Sequence, residues 1–313
     1  MTNKETYRQF CKNATDLPVF AQAWYLDTVC QGGEWEIILI EKGGEVAATL
    51  PYFLKQKGPI QYVTMPHLTK FLGPYIIPKY RQTKHEAKLI RQLIAQLPKL
   101  SYFKQNLHYH YTNWLPFYWE GFRQQTHYSY RLSPLDNLKQ IHANISADYR
   151  NQKIAKADPL LILKSDLPLS NFHRVAALSY ERQNMPFPFS FDYIEGLVKT
   201  LQQNQSGKVF YAVDQAGQVH SSALLIWDRQ SSYLSIIGDD PAFRSQGGGI
   251  WLVWQLIQYT KQELGLPAFD FLGSMIEPIE RVRRQFGAQQ TPYHAVWKHG
   301  AWWWELLDIL RKS

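Results

Sequence analysis

The stretch "DPAFRSQGGGIWLVWQLIQYTK", residues 240 to 261, has three consecutive glycines directly before an apolar segment typical of a buried helix. A strand that runs through a glycine turn into a helix start brings several backbone N–H groups to one point, at the positive end of the helix dipole. Glycine also lacks the Cβ atom that would keep an oxygen away from the backbone. The pattern predicts a phosphate-binding loop, and the alternative is a tight turn that serves only packing. The residues predicted to bind the phosphate are Arg244, Gln246, Gly247, Gly248 and Gly249.

Two familiar glycine-rich loops do not fit this stretch. A P-loop needs a lysine followed by serine or threonine after the glycines, whereas Ile250 and Trp251 stand there. The dinucleotide-binding pattern needs the spacing G-x-G-x-x-G within a βαβ unit. Here the glycines are contiguous, and the preceding residues predict an antiparallel meander. Kinase and dehydrogenase functions are therefore excluded.

The elements that must position this loop occur in both halves of the chain in the same order. Each half is predicted as a three-stranded meander, a helix, a strand, a helix and a strand. The first meander is "WEIILIE", "EVAATLPYFLK" and "IQYVTM", and the second is "GKVFYAVDQAGQVHSSALLIWDRQSSYLSIIG". We interpret the repetition as a diverged internal duplication. Between the halves, Ser133 and Pro134 predict the start of a helix.

The order of meander, glycine loop, helix, strand, helix and strand resembles the GNAT (Gcn5-related N-acyltransferase) family. "RSQGGG" is similar to its Gln/Arg-x-x-Gly-x-Gly/Ala signature. The sequence that follows resembles the Fem-type and BioF2-like branch. It has Asp270, Phe271 and Gly273, then a basic run that contains Arg283, then "FG". "YRNQKIAKA" and "YERQNMPFP" are also similar to segments of that branch.

This resemblance implies an α/β (α+β) fold with two tandem GNAT-like domains, each a mixed, mainly antiparallel sheet flanked by helices. The expected domains are residues 1–132, with a degenerate donor loop that holds only Gly73, and residues 133–313, with the glycine-rich loop. The resemblance also implies an N-acyltransferase that moves an acyl or aminoacyl group from acyl-CoA or aminoacyl-tRNA to an amine. The acceptor would be a small molecule or a cell-wall precursor.

The resemblance places the reaction between "SYLSIIG" and "AFDFLG", where two central strands separate. Asp239 ends the first of these strands, and Asp270 lies in the second between two phenylalanines. An unpaired charge in such an apolar strand is costly, so Asp270 needs a partner, a proton or a substrate; a structural hydrogen bond is the alternative. Arg283 or Arg284 matches a position that the branch writes as Lys, where it would stabilise charge on the donor. We predict Asp270, Arg283 and Asp239 as the catalytic residues.

Composition sets the remaining expectations. The formal net charge of +8 favours anionic partners such as CoA or tRNA, and the aromatic content of 15% suits packed cores or binding surfaces. The first residues carry no apolar signal segment, and no apolar run reaches membrane-span length, so we expect a soluble, cytoplasmic protein without an integral membrane segment. A non-catalytic binding protein with this fold and a nucleic-acid-binding protein are the alternative functions.

Metal and thiol chemistry are not expected. His108 and His110 are the only closely spaced histidines; on a strand they would share one face, but no carboxylate or cysteine stands near them. Cys11 and Cys30 have no metal or redox spacing and are expected to be buried thiols. Three adjacent tryptophans, Trp302 to Trp304, predict a C-terminal helix that packs against another surface. The sequence leaves the oligomeric state open.

Overall fold

The computed structural model describes residues 2–182 and 184–300. They form two compact units, one made of residues 2–127 with 292–300 and the other of residues 128–291. The first unit is discontinuous in sequence, because the end of the last strand belongs to it. The expected domain boundary between residues 132 and 133 stays a prediction. The predicted helix with Trp302 to Trp304 lies outside the described residues.

Strands and helices alternate along the described residues. In chain order, the strands are β1 (Glu34–Lys42), β2 (Glu45–Lys57), β3 (Ile60–Thr64), β4 (Tyr75–Ile76), β5 (Tyr102–Asn106), β6 (Arg123–Leu132), β7 (Leu161–Lys164), β8 (Gly207–Asp214), β9 (Val219–Trp227), β10 (Ser232–Asp239), β11 (Phe269–Asp270) and β12 (Gln289–His299). The helices are α1 (Asn3–Asn13), α2 (Ala23–Val29), α3 (Thr83–Ala95), α4 (Leu115–Trp119), α5 (Leu138–Asn144), α6 (Ala155–Ala157), α7 (Leu169–Glu181), α8 (Phe191–Gln203), α9 (Gly248–Gln262) and α10 (Glu277–Gln285). A π-helical segment (Asp148–Ile154) precedes α6.

In the first unit, β1, β2 and β3 form the predicted antiparallel meander. Strand β3 pairs in parallel with β5, and β5 pairs antiparallel with residues 295–299 of β12. Helix α3 covers this sheet with one apolar face, whose residues Leu89, Ile90 and Leu93 are fully buried. Their spacing of one, three and four residues is that of a single helix face.

The second unit has a mixed, mainly antiparallel sheet, as expected. Its strand order is β6, β11, β10, β9, β8, β7, and only the pair β10–β11 is parallel among these described strands. Residues 219–226 of β9 are all buried, which requires cover on both faces of the sheet. Helices α7 and α9 both pack against β9 and β10 and supply this cover.

Three local predictions differ from the structure, and one helix was not predicted. Ser133 and Pro134 do not start a helix; α5 begins at Leu138, where the Asn137 side chain accepts a hydrogen bond from the backbone N–H of Gln140. Helix α1 does not follow from the sequence pattern, because its residues are mostly polar. Strand β11 covers two residues instead of the predicted "PAFDFLG". Strand β5 ends before His108, so the prediction that this residue and His110 share a strand face is wrong.

Cys11 and Cys30 are free and buried, as predicted. Burial raises the pKa of Cys11 to about 11 and that of Cys30 to about 12, so both remain neutral thiols near pH 7. None of the described helices combines the length and the apolar character that a membrane crossing requires.

Candidate functional site

The glycine loop joins the end of β10 to the start of α9. Residues 244–246 form one turn of 3₁₀ helix, and Gly247 follows with a φ of 78°. This left-handed conformation is one that glycine adopts without steric cost, and it redirects the chain into α9. Arg244 and Gln246 are exposed beside the turn.

The three glycines themselves are buried, and each leaves room for a side chain of the protein. A methyl group on the first would lie 3.1 Å from Lys153 Cβ, and on the second 3.0 Å from His220 Cβ. On the third it would lie 2.2 Å from Asp239 Oδ1. Close packing therefore disfavours a side chain at these positions, most strongly at Gly249, which agrees with the packing alternative.

The first turn of α9 has backbone donors without acceptors. The N–H of Trp251 donates to the carbonyl of Gly247 at 3.0 Å. Within the described residues, no acceptor is found for the N–H groups of Gly248, Gly249 and Ile250. Free N–H groups at the start of a 15-residue helix favour an anionic group there.

Basic side chains lie around this turn. Lys153, on the π-helical segment, packs along the first glycine, and Arg244 stands on the loop itself. Burial raises the pKa of Tyr149 and Asp148 adds to the rise, whereas Arg244 and Arg281 oppose it. Both guanidinium groups therefore act on one phenol of the π-helical segment, which packs against α9.

Asp239 lies at the same turn, with its backbone fixed by α7. Its N–H donates to Ser179 Oγ at 2.6 Å. Its Oδ1 atom is buried, and within the described residues it has no hydrogen-bond partner. Burial raises the pKa of the Asp239 carboxyl, while Ser221, Arg244 and Arg182 oppose the rise.

The two central strands separate where the resemblance places the reaction. Strands β10 and β11 pair in parallel only at Ser232–Phe269 and Tyr233–Asp270. After β11 the chain turns through Leu272, with a φ of 55°. Among the described strands, none pairs with this edge of β10 beyond Tyr233.

Asp270 stands at this point of separation and is fully buried. Its Oδ1 atom accepts hydrogen bonds from Ser129 Oγ at 2.5 Å and from the N–H of Leu272 at 2.7 Å. Arg131 Nε lies 3.8 Å from Oδ2. Asp270 therefore has the polar partners that its burial was predicted to require. One of them is the backbone N–H of Leu272, which makes a structural hydrogen bond.

Arg283 belongs to the same charged cluster. Its Nη1 donates to the carbonyl of Ile279 at 2.8 Å and its Nε to that of Phe271 at 3.3 Å. Burial lowers the pKa of Arg283 to about 10, opposed mainly by Asp270. The guanidinium still carries its charge near pH 7, in surroundings where a charge acts strongly.

The structure thus divides the predicted site residues into two groups. Asp239 lies with the glycine loop, while Asp270 and Arg283 lie at the strand separation. Asp270 is in register with Tyr233, six residues before Asp239 on β10, and six residues of extended strand span about 20 Å. No group of three or more histidine, cysteine or acidic side chains that could hold a metal occurs in the described part of the chain.

Comparison with known proteins identifies the fold. Residues 150–290 match the family model described as acetyltransferase (GNAT) domain. Comparison with curated protein sequences gave no match. The matched segment contains the glycine loop, α9, the strand separation, Asp270 and Arg283. This part of the chain is a GNAT domain.

Solved structures extend the likeness to nearly the whole chain. FemX is similar with a TM-score of 0.73 at 12% identity, over 94% of this chain and 96% of that one. The C-terminal domain of a putative lysylphosphatidylglycerol synthetase from Agrobacterium fabrum follows with a TM-score of 0.58 at 14% identity, over 94% and 92%. A tandem GNAT protein from the clavulanic acid biosynthesis pathway gives 0.52 at 11%, over 95% of both chains. The chain therefore has a GNAT-like fold, similar to these structures over nearly its whole length.

Sequence reasoning missed several side chains of the site. Ser129 and Arg131 contact Asp270 from β6, and Ser179 and Arg182 approach Asp239 from the end of α7. They are 57 to 141 positions away from the aspartates that they approach. No local spacing marks such partners, because the sheet and its covering helices bring them together.

Proposed function

We propose that this protein is an N-acyltransferase whose donor carries phosphate and binds at the start of α9. The observation that carries the proposal is the set of free N–H groups at residues 248–250, inside a GNAT domain. Such donors bind phosphate through hydrogen bonds and through the helix dipole. Arg244 and Lys153 would add charge-assisted contacts.

The separation of the two groups of site residues supports an elongated donor. A donor held by its phosphate at the loop can extend along the open edge of β10, so that its carbonyl reaches the strand separation about 20 Å away. Open backbone groups of β10 would bind its polar atoms. Both acyl-CoA and aminoacyl-tRNA combine a phosphate with a distant reactive carbonyl.

The reaction that we propose forms one C–N bond and breaks one bond of the donor. The acceptor amine nitrogen attacks the donor carbonyl, and the C–S bond of a thioester or the C–O bond of an ester breaks. The proton lost by the amine ends on the departing thiolate or alkoxide. The acceptor would be a small-molecule or cell-wall-precursor amine.

In this mechanism Arg283 stabilises the negative charge that develops at the reacting end of the donor. Its burial strengthens that interaction relative to water. Asp270 holds Arg131 and Arg283 in place through their opposite charges. Arginine keeps its proton at neutral pH and therefore serves as a fixed charge, while the proton moves through other groups.

Two kinds of donor remain open, and similar proteins exist for each. The tandem GNAT protein is described as a structure without AcCoA. Two other similar structures are the C-terminal domain of a putative lysylphosphatidylglycerol synthetase and a protein described as L-PGS from Bacillus licheniformis. Acetyl-CoA and aminoacylated tRNA are therefore the two probes for a binding measurement by calorimetry, followed by mass spectrometry of amines incubated with the bound donor.

The variant that tests the loop is Arg244→Gln. Loss of a charge-assisted phosphate contact should weaken donor binding about ten- to a hundredfold. Because Arg244 is exposed, the variant should keep the thermal unfolding midpoint of the wild type. Arg229→Gln removes another arginine from the turn between β9 and β10, at the opposite end of β10, and should bind the donor normally.

Two results would contradict the proposal. One is that neither probe binds the wild-type protein. The other is that the two arginine variants bind with the same affinity, which would mean that only net charge matters. Binding of tRNA whether or not it is aminoacylated, with no transfer product, would favour a nucleic-acid-binding protein.

A further inference from the structure

The Asp239 carboxyl group occupies the place that a donor phosphate would approach. A methyl group on Gly249 would lie 2.2 Å from Oδ1, 2.8 Å from Oδ2 and 2.8 Å from Cγ of Asp239. Since a Cα–Cβ bond measures about 1.5 Å, Oδ1 lies within about 3.7 Å of the Gly249 Cα atom. The carboxyl therefore lies against the first turn of α9, beside Gly249.

The Oδ1 atom is buried, and within the described residues nothing donates a hydrogen bond to it. A carboxylate in this state is costly, although the positive end of α9 partly compensates it. A donor phosphate bound to the same helix start would bring a second negative charge within a few ångströms. Two anionic groups that share such a site do not both stay ionised.

We propose that the Asp239 carboxyl group takes up one proton when the donor phosphate binds to the N–H groups of residues 248–250. The inference rests on the proposed function, since it needs a phosphate at this turn. In the complex, the neutral carboxyl ends the charge repulsion, and its O–H can donate a hydrogen bond to a phosphate oxygen. The proton comes from solvent.

The charged groups around Asp239 influence the pH range in which its carboxyl group takes up the proton. Arg244 faces it from the loop and Arg182 from the end of α7, and both favour the ionised form. Two neighbouring carboxylates already have partners of their own. Asp240 pairs with Arg174 at 2.8 Å, and Asp214, the last residue of β8, contacts His220 of β9 at 3.0 Å.

The direction of the pH dependence follows from the order of the two pKa values. The bound phosphate raises the pKa of Asp239 above its value in the free protein. Donor binding is therefore strongest below the free-state pKa and weakens as the pH rises from that value to the bound-state pKa. Within that window the affinity should fall about tenfold for each pH unit.

The experiment uses dephospho-CoA, whose diphosphate diester has no proton to exchange near neutral pH, and unacylated tRNA as the second phosphate source. Calorimetry in buffers of different ionisation enthalpy should show uptake of about one proton by the wild-type chain inside the window. Asp239→Asn, a neutral side chain of the same shape, should abolish the uptake and make the affinity independent of pH. Above the window it should bind at least about tenfold tighter than the wild type.

The matched control is Glu263→Gln, which removes one exposed carboxylate at the other end of α9. This variant should take up the same number of protons as the wild type, and its affinity should depend on pH in the same way. If the wild type binds a probe without taking up a proton, or if Asp239→Asn keeps the wild-type slope, the inference is wrong while the proposed function stands. Weaker binding of Asp239→Asn at every pH would also overturn it, because the carboxylate would then be a required acceptor. If neither probe binds, the proposed function itself fails.

Discussion

Two aspartates of the second unit, Asp270 and Asp239, differ in the hydrogen bonds that their carboxyl groups accept. Asp270 accepts hydrogen bonds from Ser129 and from the backbone, with two arginines nearby. Asp239 has an Oδ1 atom that nothing in the described residues contacts by a hydrogen bond. Hydrogen bonds hold the first carboxyl in one arrangement, whereas Oδ1 of the second can still form one with a ligand.

The fixed charge of Asp270 leads to a prediction for stability. Asp270→Asn leaves the buried arginines without their counter-charge and should lower the free energy of unfolding by about 3 kcal/mol. Asp136→Asn, which removes an exposed carboxylate paired with Lys261 at 3.4 Å, should cost less than about 1 kcal/mol. Urea denaturation midpoints compare the two. Equal effects would mean that the buried cluster is not a charge network.

At the scale of elements, a glycine on β10 allows a helix and a strand to come close together. Strand β10 carries Gly238, and a methyl group there would lie 2.7 Å from the carbonyl oxygen of Val175 and 2.8 Å from Cα of Ala176 in α7. The contact holds the end of α7 against β10, and with it the serine that binds the Asp239 backbone. The position of the candidate donor site therefore depends on this helix contact.

Substitution of glycine by alanine should change the free energy of unfolding in opposite directions at two positions. Gly238→Ala forces α7 away from β10 and should destabilise the protein by about 2 kcal/mol or more. Gly196→Ala, in the middle of α8 with nothing within 4 Å of the added methyl group, should stabilise it by about 0.5–1 kcal/mol. Thermal unfolding of both variants tests the pair. A neutral Gly238→Ala variant would show that α7 can shift freely.

At the scale of the whole molecule, the chain order and the compact units do not coincide. The last strand begins in the second unit and ends in the first, where its residues 295–299 pair with β5. Val296 is fully buried in the core of the first unit together with residues of α3. The stability of the N-terminal part therefore depends on residues about 190 positions further along the chain.

Hydrogen exchange can test this assignment with two cavity-forming variants. Val296→Ala should reduce the protection of β5 and α3 by about 1–3 kcal/mol in opening free energy, and leave α9 protected. Leu256→Ala, in α9 and fully buried, should reduce protection in the second unit first. If Val296→Ala weakened only the second unit, the last strand would have been assigned to the wrong core.

The sequence by itself determined much of the order of elements, because apolar periodicity is local and both meanders, α3 and α10 follow from it. Together with a short motif, that order was enough for the GNAT-like fold. It could not determine why residues 247–249 are glycines, since the side chains that fill their Cβ positions come from other segments. It also could not separate Asp239 from Asp270, which only the strand register places about 20 Å apart. Burial, register and contact between distant segments arise when the chain packs, so only the tertiary structure decided them.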